Sequence, residues 1–342
     1  MSETTKQVET LHLTRKDFVP DNDVRWCPGC GDYSILANMQ KTLPSLEVEK
    51  EKYVFVSGIG CSSRFPYYMD TYGFHGIHGR APAIASGVKL ANPDLSVWII
   101  TGDGDGLSIG GNHLIHVLRR NIDVNIMLFN NRIYGLTKGQ YSPTSMLGKK
   151  TKSSPFGSID RPFNPSAVAA GSNATFIARA LDVDARGLQE SIKRSQDHKG
   201  ASFIEVYQNC IIFNDGEFAD VENKSTRPDN ALFVVHGEPM IFGKENNKGI
   251  VVDNHHPKVV ELGDKWKVKD LLVHDETNMH ITNLLLEMTF DPETPTPFGI
   301  LRAVDQPTYD DLLHSQIDQV TELRGEGNLK DLFNSGDVWE VK

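Results

Sequence analysis

Four short apolar runs, each leading into a turn of glycine, asparagine or cysteine, constrain this chain more than any other feature. Tyr53–Ser57 (YVFVS) leads into Gly58-Ile59-Gly60-Cys61, and Ser96–Thr101 (SVWIIT) leads into GDGDG. Val124–Asn130 (VNIMLFN) ends in Asn130-Asn131, and Ser202–Tyr207 (SFIEVY) is followed by Gln208-Asn209-Cys210. Continuous apolar runs bounded by turn residues suit strands covered on both faces. Helical patterns fall between them. Ile35, Leu36, Met39 and Leu43 share one face, Leu107, Gly111, Leu114 and Leu118 another, with Gly111 small enough for close packing, and Ala185–His198 supplies a third. The alternation predicts an α/β fold with a doubly wound, mostly parallel sheet.

Two stretches break the rhythm. Residues 137–165, rich in Lys, Ser, Pro and Gly, have no clear period and read as a mobile segment over a site or a partner-binding segment. Beyond residue 214 the pattern is irregular, with short apolar runs at 231–235 and 249–252. A final helix is expected at 309–324, capped by Thr308, with Leu313, Ile317 and Val320 on one face. The chain therefore divides into a site-bearing domain, 1–214, and a C-terminal extension, 215–342, that packs on the core or on a partner subunit. The polar start, residues 1–10, reads as frayed or docked on a partner.

A net charge of −10 argues against nucleic acid, which needs a basic stripe. No run reaches transmembrane length and no secretory leader pattern is present, so no membrane association is expected and the expected compartment is the cytoplasm. There, the four cysteines read as ligands or core residues rather than disulfides.

The most specific word is Gly102-Asp103-Gly104-Asp105-Gly106 followed, one helix and one strand later, by Asn130-Asn131. Both halves lie just past the carboxyl end of a strand, where open α/β sheets bind ligands. Asp103 offers an anionic oxygen, Asn131 a neutral amide oxygen, and the carbonyl of Ile133 a third donor. With two diphosphate oxygens and a water, these complete an octahedron around Mg²⁺. The glycines let backbone N–H groups approach phosphate, and the following helix presents its positive end. The two-part word matches the diphosphate motif of thiamine diphosphate enzymes.

Cys27 and Cys30, in Trp26–Asp32 (WCPGCGD), have the spacing of a redox pair, a zinc half-site or half an iron–sulfur site. Cys61 follows the first run and Cys210 the fourth. If those strands are parallel, both thiols lie on the edge that carries Asp103 and Asn131. Four thiols there can hold structural zinc or a 4Fe-4S cluster, and the spacing leaves both open.

Taken together, WCPGCGD at 26–32, SGIGCSSR at 57–64, HGIHGRAPAIASGVKLANP at 75–93, GDGDGLSIGGNHLIHVLRRN at 102–121 and NNRIYGLTKGQYSPT at 130–144 resemble the β subunits of 2-oxoacid:ferredoxin oxidoreductases. The resemblance covers residues 15–215. It implies the thiamine diphosphate-binding fold, a 4Fe-4S cluster on Cys27, Cys30, Cys61 and Cys210, and Mg²⁺ on Asp103, Asn131 and the Ile133 carbonyl. Cofactor contacts would come from Ile59, Gly60, Cys61, Ser62, His78, Gly79, Gly104, Asp105, Gly135, Leu136 and Thr137. His78, within the HGR word, and His75 are candidates to bind or protonate near the thiazolium or substrate, and Arg80 to pair with a carboxylate or diphosphate or to brace the loop. His113, His116, His255, His256, His274 and His280 show no ligand spacing.

The implied reaction is CoA-dependent oxidative decarboxylation of a 2-oxoacid, with electrons passing through the cluster to ferredoxin. A single Cys₄ site without ferredoxin-type CxxCxxC runs favours 2-oxoglutarate as substrate. No glutamate is identified that would hydrogen-bond the aminopyrimidine. The resemblance places it in an α subunit, so the chain is expected to act only as a heterodimer or dimer of heterodimers. Two other readings are a non-oxidative thiamine diphosphate decarboxylase or synthase subunit with structural zinc, and a non-catalytic assembly subunit.

Overall fold

The computed structural model describes residues 13–341, so the expectation for residues 1–10 lies outside the described residues. Eleven strands are present among them: β1 Tyr53–Ser57, β2 Tyr72–His75, β3 Ser96–Gly102, β4 Asn125–Asn130, β5 Phe176–Leu181, β6 Ser202–Tyr207, β7 Ala231–Val234, β8 Ile241–Phe242, β9 Lys248–Asp253, β10 His256–Glu261 and β11 Thr296–Ala303. Eight form one sheet in the order β2-β1-β3-β4-β6-β5-β11-β7, and β10-β9-β8 form a small second sheet. Every pairing in the large sheet is parallel except β11 with β5.

The runs are continuously apolar because each strand feeds two cores. Val54, Val56, Val97, Ile99, Ile126 and Leu128 point to one face, where the Ala81–Ala91 and Gly111–Arg119 helices cover them, and the Met279–Glu287 helix extends the same layer over β11. Tyr53, Phe55, Trp98, Ile100, Met127 and Phe129 point to the other, against the Asp32–Thr42 and Ala185–Asp197 helices. Period-2 side-chain alternation assigns neighbouring residues to opposite faces.

Three sequence expectations need correction. The stretch from Leu107 to Leu118 is two helices, Asp103–Leu107 and Gly111–Arg119, not one. Close packing falls at Gly79 and Gly110 rather than at Gly111: a Cβ on Gly79, whose φ is +67°, would lie 2.4 Å from the Gly110 Cα, whereas one on Gly111 would meet nothing. The positive helix end expected behind GDGDG is therefore a single short turn with a weak dipole.

Residues after 214 are more regular than their sequence suggests. β7 and β11 continue the large sheet, and the Thr308 side chain caps the Tyr309–Arg324 helix by accepting from the Asp311 N–H at 3.1 Å. On that helix Ile317 and Val320 remain about half exposed. The 137–165 segment is fastened at its first half by Ser142, Thr144 and Lys149, while Phe156 and Ile159 at its tip are exposed.

Glu222 provides a pH-dependent contribution to stability. Its Oε1 is buried without a hydrogen-bond partner among the described residues, and burial first, then Asp182 and Asp215, push its carboxyl from 4.5 up to about 7. Between those values the folded chain keeps a proton that the unfolded chain releases, so stability declines as pH rises through the window. Glu222→Gln should raise the thermal midpoint at pH 8 and leave it unchanged near pH 4. An equal shift at both pH values would contradict this origin.

Candidate active site

Because β1, β3, β4 and β6 run parallel, their carboxyl ends share one edge of the sheet. Cys61, Asp103, Asn131 and Cys210 all follow those ends. The loops form an open cleft lined by Ile59, Gly60, Cys61, Ser62, His78, Asp103, Gly104, Asp105, Asn131, Ile133, Gly135, Leu136 and Thr137.

Asp103 opens the turn after β3 and is 3% exposed. Its Oδ2 accepts from the Ser142 and Thr144 hydroxyls, each at 2.5 Å. Among the described residues it has no ion-pair partner. Burial raises its carboxyl to about 6 against the pull of those two hydrogen bonds. A buried carboxylate with hydrogen-bond support but no charged partner among the described residues suits a bound cation. Across the cleft, the Asn131 Oδ1 accepts from the Ile133 N–H at 3.2 Å and keeps a second lone pair. Gly104 is needed for more than phosphate approach, since a Cβ there would lie 2.1 Å from the Tyr134 ring.

Asp105 ties the loops together. Its Oδ1 accepts from the Ile59 N–H at 3.1 Å, the Gly79 N–H at 2.9 Å and the His78 ring at 2.8 Å, and its Oδ2 accepts from the Thr101 hydroxyl at 2.8 Å. The carboxylate only accepts, so His78 donates from Nδ1 and keeps Nε2 as its acceptor. Gly79 joins the site through Asp105, behind the cleft wall. His75 and Arg80 do not line the cleft: His75 packs beside the Tyr67 ring, and Arg80 donates to the His78 and Ile109 carbonyls, bracing the loop.

A second cavity, of about 190 Å³, adjoins the first and is lined by all four cysteines, none in a disulfide. The CxxC turn closes through the Cys30 N–H to the Cys27 carbonyl at 3.0 Å, with Gly29 at φ +85°. The Trp26 indole donates to the Cys61 carbonyl at 2.7 Å, and the Gly31 N–H to the Asn209 carbonyl at 3.2 Å. These bonds bring three separate segments to one cavity. A Cβ on Gly135 would lie 3.5 Å from the Cys210 sulfur and 3.6 Å from the Cys61 sulfur. Burial pushes the Cys61 thiol up to about 12 and raises Cys30 and Cys210 as well. Among the described residues, no three His, Cys, Asp or Glu side chains converge tightly enough for a single metal ion.

Several residues here escaped the sequence reading. Asp32 lines both cavities and is 1% exposed, and among the described residues only the neighbouring Cys30 thiol supports its carboxyl, which burial raises to about 7. Its signal was present, as the last letter of WCPGCGD. Ser142, Thr144 and Gln208 carried no signal beyond their place near the motifs.

Comparison with known proteins places this geometry in a lineage. The model of the thiamine pyrophosphate enzyme C-terminal TPP-binding domain matches residues 58–206. The chain is 51% identical to the 2-oxoglutarate oxidoreductase subunit KorB of Mycobacterium tuberculosis, over 95% of this chain and 88% of that one. It belongs to the β subunits of the 2-oxoacid:ferredoxin oxidoreductases. It is also 48% identical to the β subunit of 2-oxoacid:ferredoxin oxidoreductase 1 of Aeropyrum pernix, over 56% of this chain and 60% of that one. A solved structure, 2-oxoglutarate:ferredoxin oxidoreductase from Magnetococcus marinus with 2-oxoglutarate, coenzyme A and succinyl-CoA bound, matches with a TM-score of 0.75 at 30% identity, covering 96% of this chain and 97% of that one. A β subunit of this family is one component of an oxidoreductase and acts with partner subunits. No described helix is long and apolar enough to cross a membrane.

Proposed function

We propose that this β subunit holds the diphosphate of thiamine diphosphate with Mg²⁺ at Asp103, Asn131 and the Ile133 carbonyl, and a 4Fe-4S cluster at Cys27, Cys30, Cys61 and Cys210. With an α subunit it converts a 2-oxoacid, coenzyme A and two oxidised ferredoxins into an acyl-CoA, CO₂, a proton and two reduced ferredoxins. The relatives that carry 2-oxoglutarate in their names favour that acid. The assembly is a heterodimer or a dimer of heterodimers acting in the cytoplasm.

The observation that carries this reading is the shared sheet edge. It puts a cation-seeking carboxylate and a four-thiol cavity on adjoining walls. Bound thiamine diphosphate supplies the carbanion chemistry that releases CO₂ and retains the electrons. The chain's own residues bind, orient and exclude water. Asp103 and Asn131 fix the diphosphate end. Asp105 holds the 59–60 and 78–79 loops around the cleft and sets the His78 tautomer, leaving Nε2 able to take a proton. Leu136 and Ile133 keep the wall apolar. The spread of the thiols favours a cluster over zinc: four sulfurs on one zinc sit only about 3.8 Å apart at a Zn–S distance of ~2.3 Å, and among the described residues no three such side chains converge that tightly.

The test is anaerobic co-production with the α subunit, iron and acid-labile sulfide analysis, and turnover of several 2-oxoacids with coenzyme A and a viologen dye. Four irons per β subunit and CoA-dependent dye reduction are expected. Zinc without sulfide would overturn the redox reading. Cys61→Ser should lose the cluster absorption and keep Mg²⁺-dependent thiamine diphosphate binding; an intact cluster spectrum in that variant removes Cys61 from the ligand set.

A further inference from the structure

Gln208 lines the thiol cavity, immediately after β6, is 1% exposed, and bonds Asn131, which lines both cavities. Its backbone N–H donates to the Asn130 carbonyl at 3.0 Å, so its position follows from the β4–β6 ladder. Its side chain reaches both ways. Oε1 accepts from Asn131 Nδ2 at 2.8 Å, and Nε2 donates to the Cys30 sulfur at 3.3 Å and to the Asn209 carbonyl at 2.5 Å.

The orientation of both amides follows from their neighbours. The Ile133 N–H needs an acceptor and takes the Asn131 oxygen. Asn131 therefore turns its NH₂ toward Gln208, and Gln208 must answer with its oxygen. That leaves the Gln208 NH₂ to face the Asn209 carbonyl and the Cys30 sulfur. Flipping either amide would set two donors or two acceptors against each other.

We propose that Gln208 is a positioning residue shared by the two cofactors, an inference that rests on the functional reading above. On one side it holds the Asn131 amide so that its oxygen points at the cation. On the other its N–H supports Cys30 as a cluster ligand. Reduction adds negative charge to a cluster, and a hydrogen bond to a ligating sulfur stabilises that charge, which raises the potential. One side chain thus ties the group that releases electrons to the group that accepts them.

Two variants separate its halves in the αβ holoenzyme. Gln208→Met keeps length and loses both contacts. Gln208→Glu keeps an oxygen for Asn131 and loses the donor to sulfur. The readouts are Mg²⁺-dependent thiamine diphosphate affinity, by fluorescence quenching, and the cluster midpoint potential, by EPR-monitored titration. Gln208→Met should weaken cofactor binding about 10- to 100-fold, the range for lost outer-sphere partners, and shift the potential negative. Gln208→Glu should bind the cofactor nearly as the parent does and still shift the potential negative, its added charge acting in the same direction. If Gln208→Met leaves both readouts at parent values, the proposal is overturned. If only one moves, the half that did not move is overturned. A parent enzyme with no iron–sulfur signal, or no thiamine diphosphate binding, would instead overturn the functional reading and this inference with it.

Discussion

Asp103→Asn should nearly abolish Mg²⁺-dependent thiamine diphosphate binding without harming the fold. The amide oxygen can still accept from Ser142 and Thr144, so the first half of the 137–165 segment keeps its anchor. What disappears is the anionic donor. Loss of an outer-sphere partner typically weakens a metal site about 10- to 100-fold, and loss of an anionic direct ligand should exceed that. Stability should move the other way. The burial that raises the Asp103 carboxyl to about 6 penalises its ionised form, which is the form present at pH 8. Replacing it relieves that penalty, so the cofactor-free variant should melt at or above the parent temperature, a trade of stability against function. Calorimetric titration of cofactor and a thermal scan at pH 8 check both parts. Parent-like affinity would remove Asp103 from the cation site.

The second large effect lies beneath the site. Arg179 on β5 and Glu205 on β6 are fully buried and paired at 3.0 Å. Arg179 also donates to the Thr289 hydroxyl, the Pro297 carbonyl and the Asn164 side chain. Glu205 accepts from the Ser166 hydroxyl at 2.5 Å and from Asn130 Nδ2 at 2.8 Å, next to the proposed cation ligand Asn131. The network joins β4, β5, β6 and β11. Arg179→Met would leave Glu205 charged and buried without its partner, a loss of about 3–5 kcal/mol. Adding Glu205→Gln should recover part of that, because the stranded charge goes with it. Urea unfolding of the single and double variants measures both. A single variant as stable as the parent would show that the pair is not needed to hold these strands.

The strands that carry the site were legible because their signals are local. The bounds of β1 and β6 coincide with the apolar runs read from the sequence, and those of β3 and β4 differ by one residue. The site words are equally local, since turn residues at strand ends specify their own backbone. β2 was missed because Tyr72–His75 is an exposed edge strand with no buried face to create a pattern. β7 and β11 read as irregular because their partners are far away along the chain. Nothing local to Ser202–Tyr207 marks Glu205 as paired, since Arg179, the cation that neutralises it, is on another strand.

From its residues alone, this chain determined a mostly parallel α/β sheet, the strand ends that bear Asp103, Asn131, Cys61 and Cys210, and the lineage those words share. Only the tertiary structure decided that Asp105 clasps two loops, that Asp32 lines both cavities and that Gln208 bonds both Asn131 and Cys30. Local propensity sets which strands form and where they turn. Which buried polar group meets which depends on strand order and register, and those emerge only when distant segments pack.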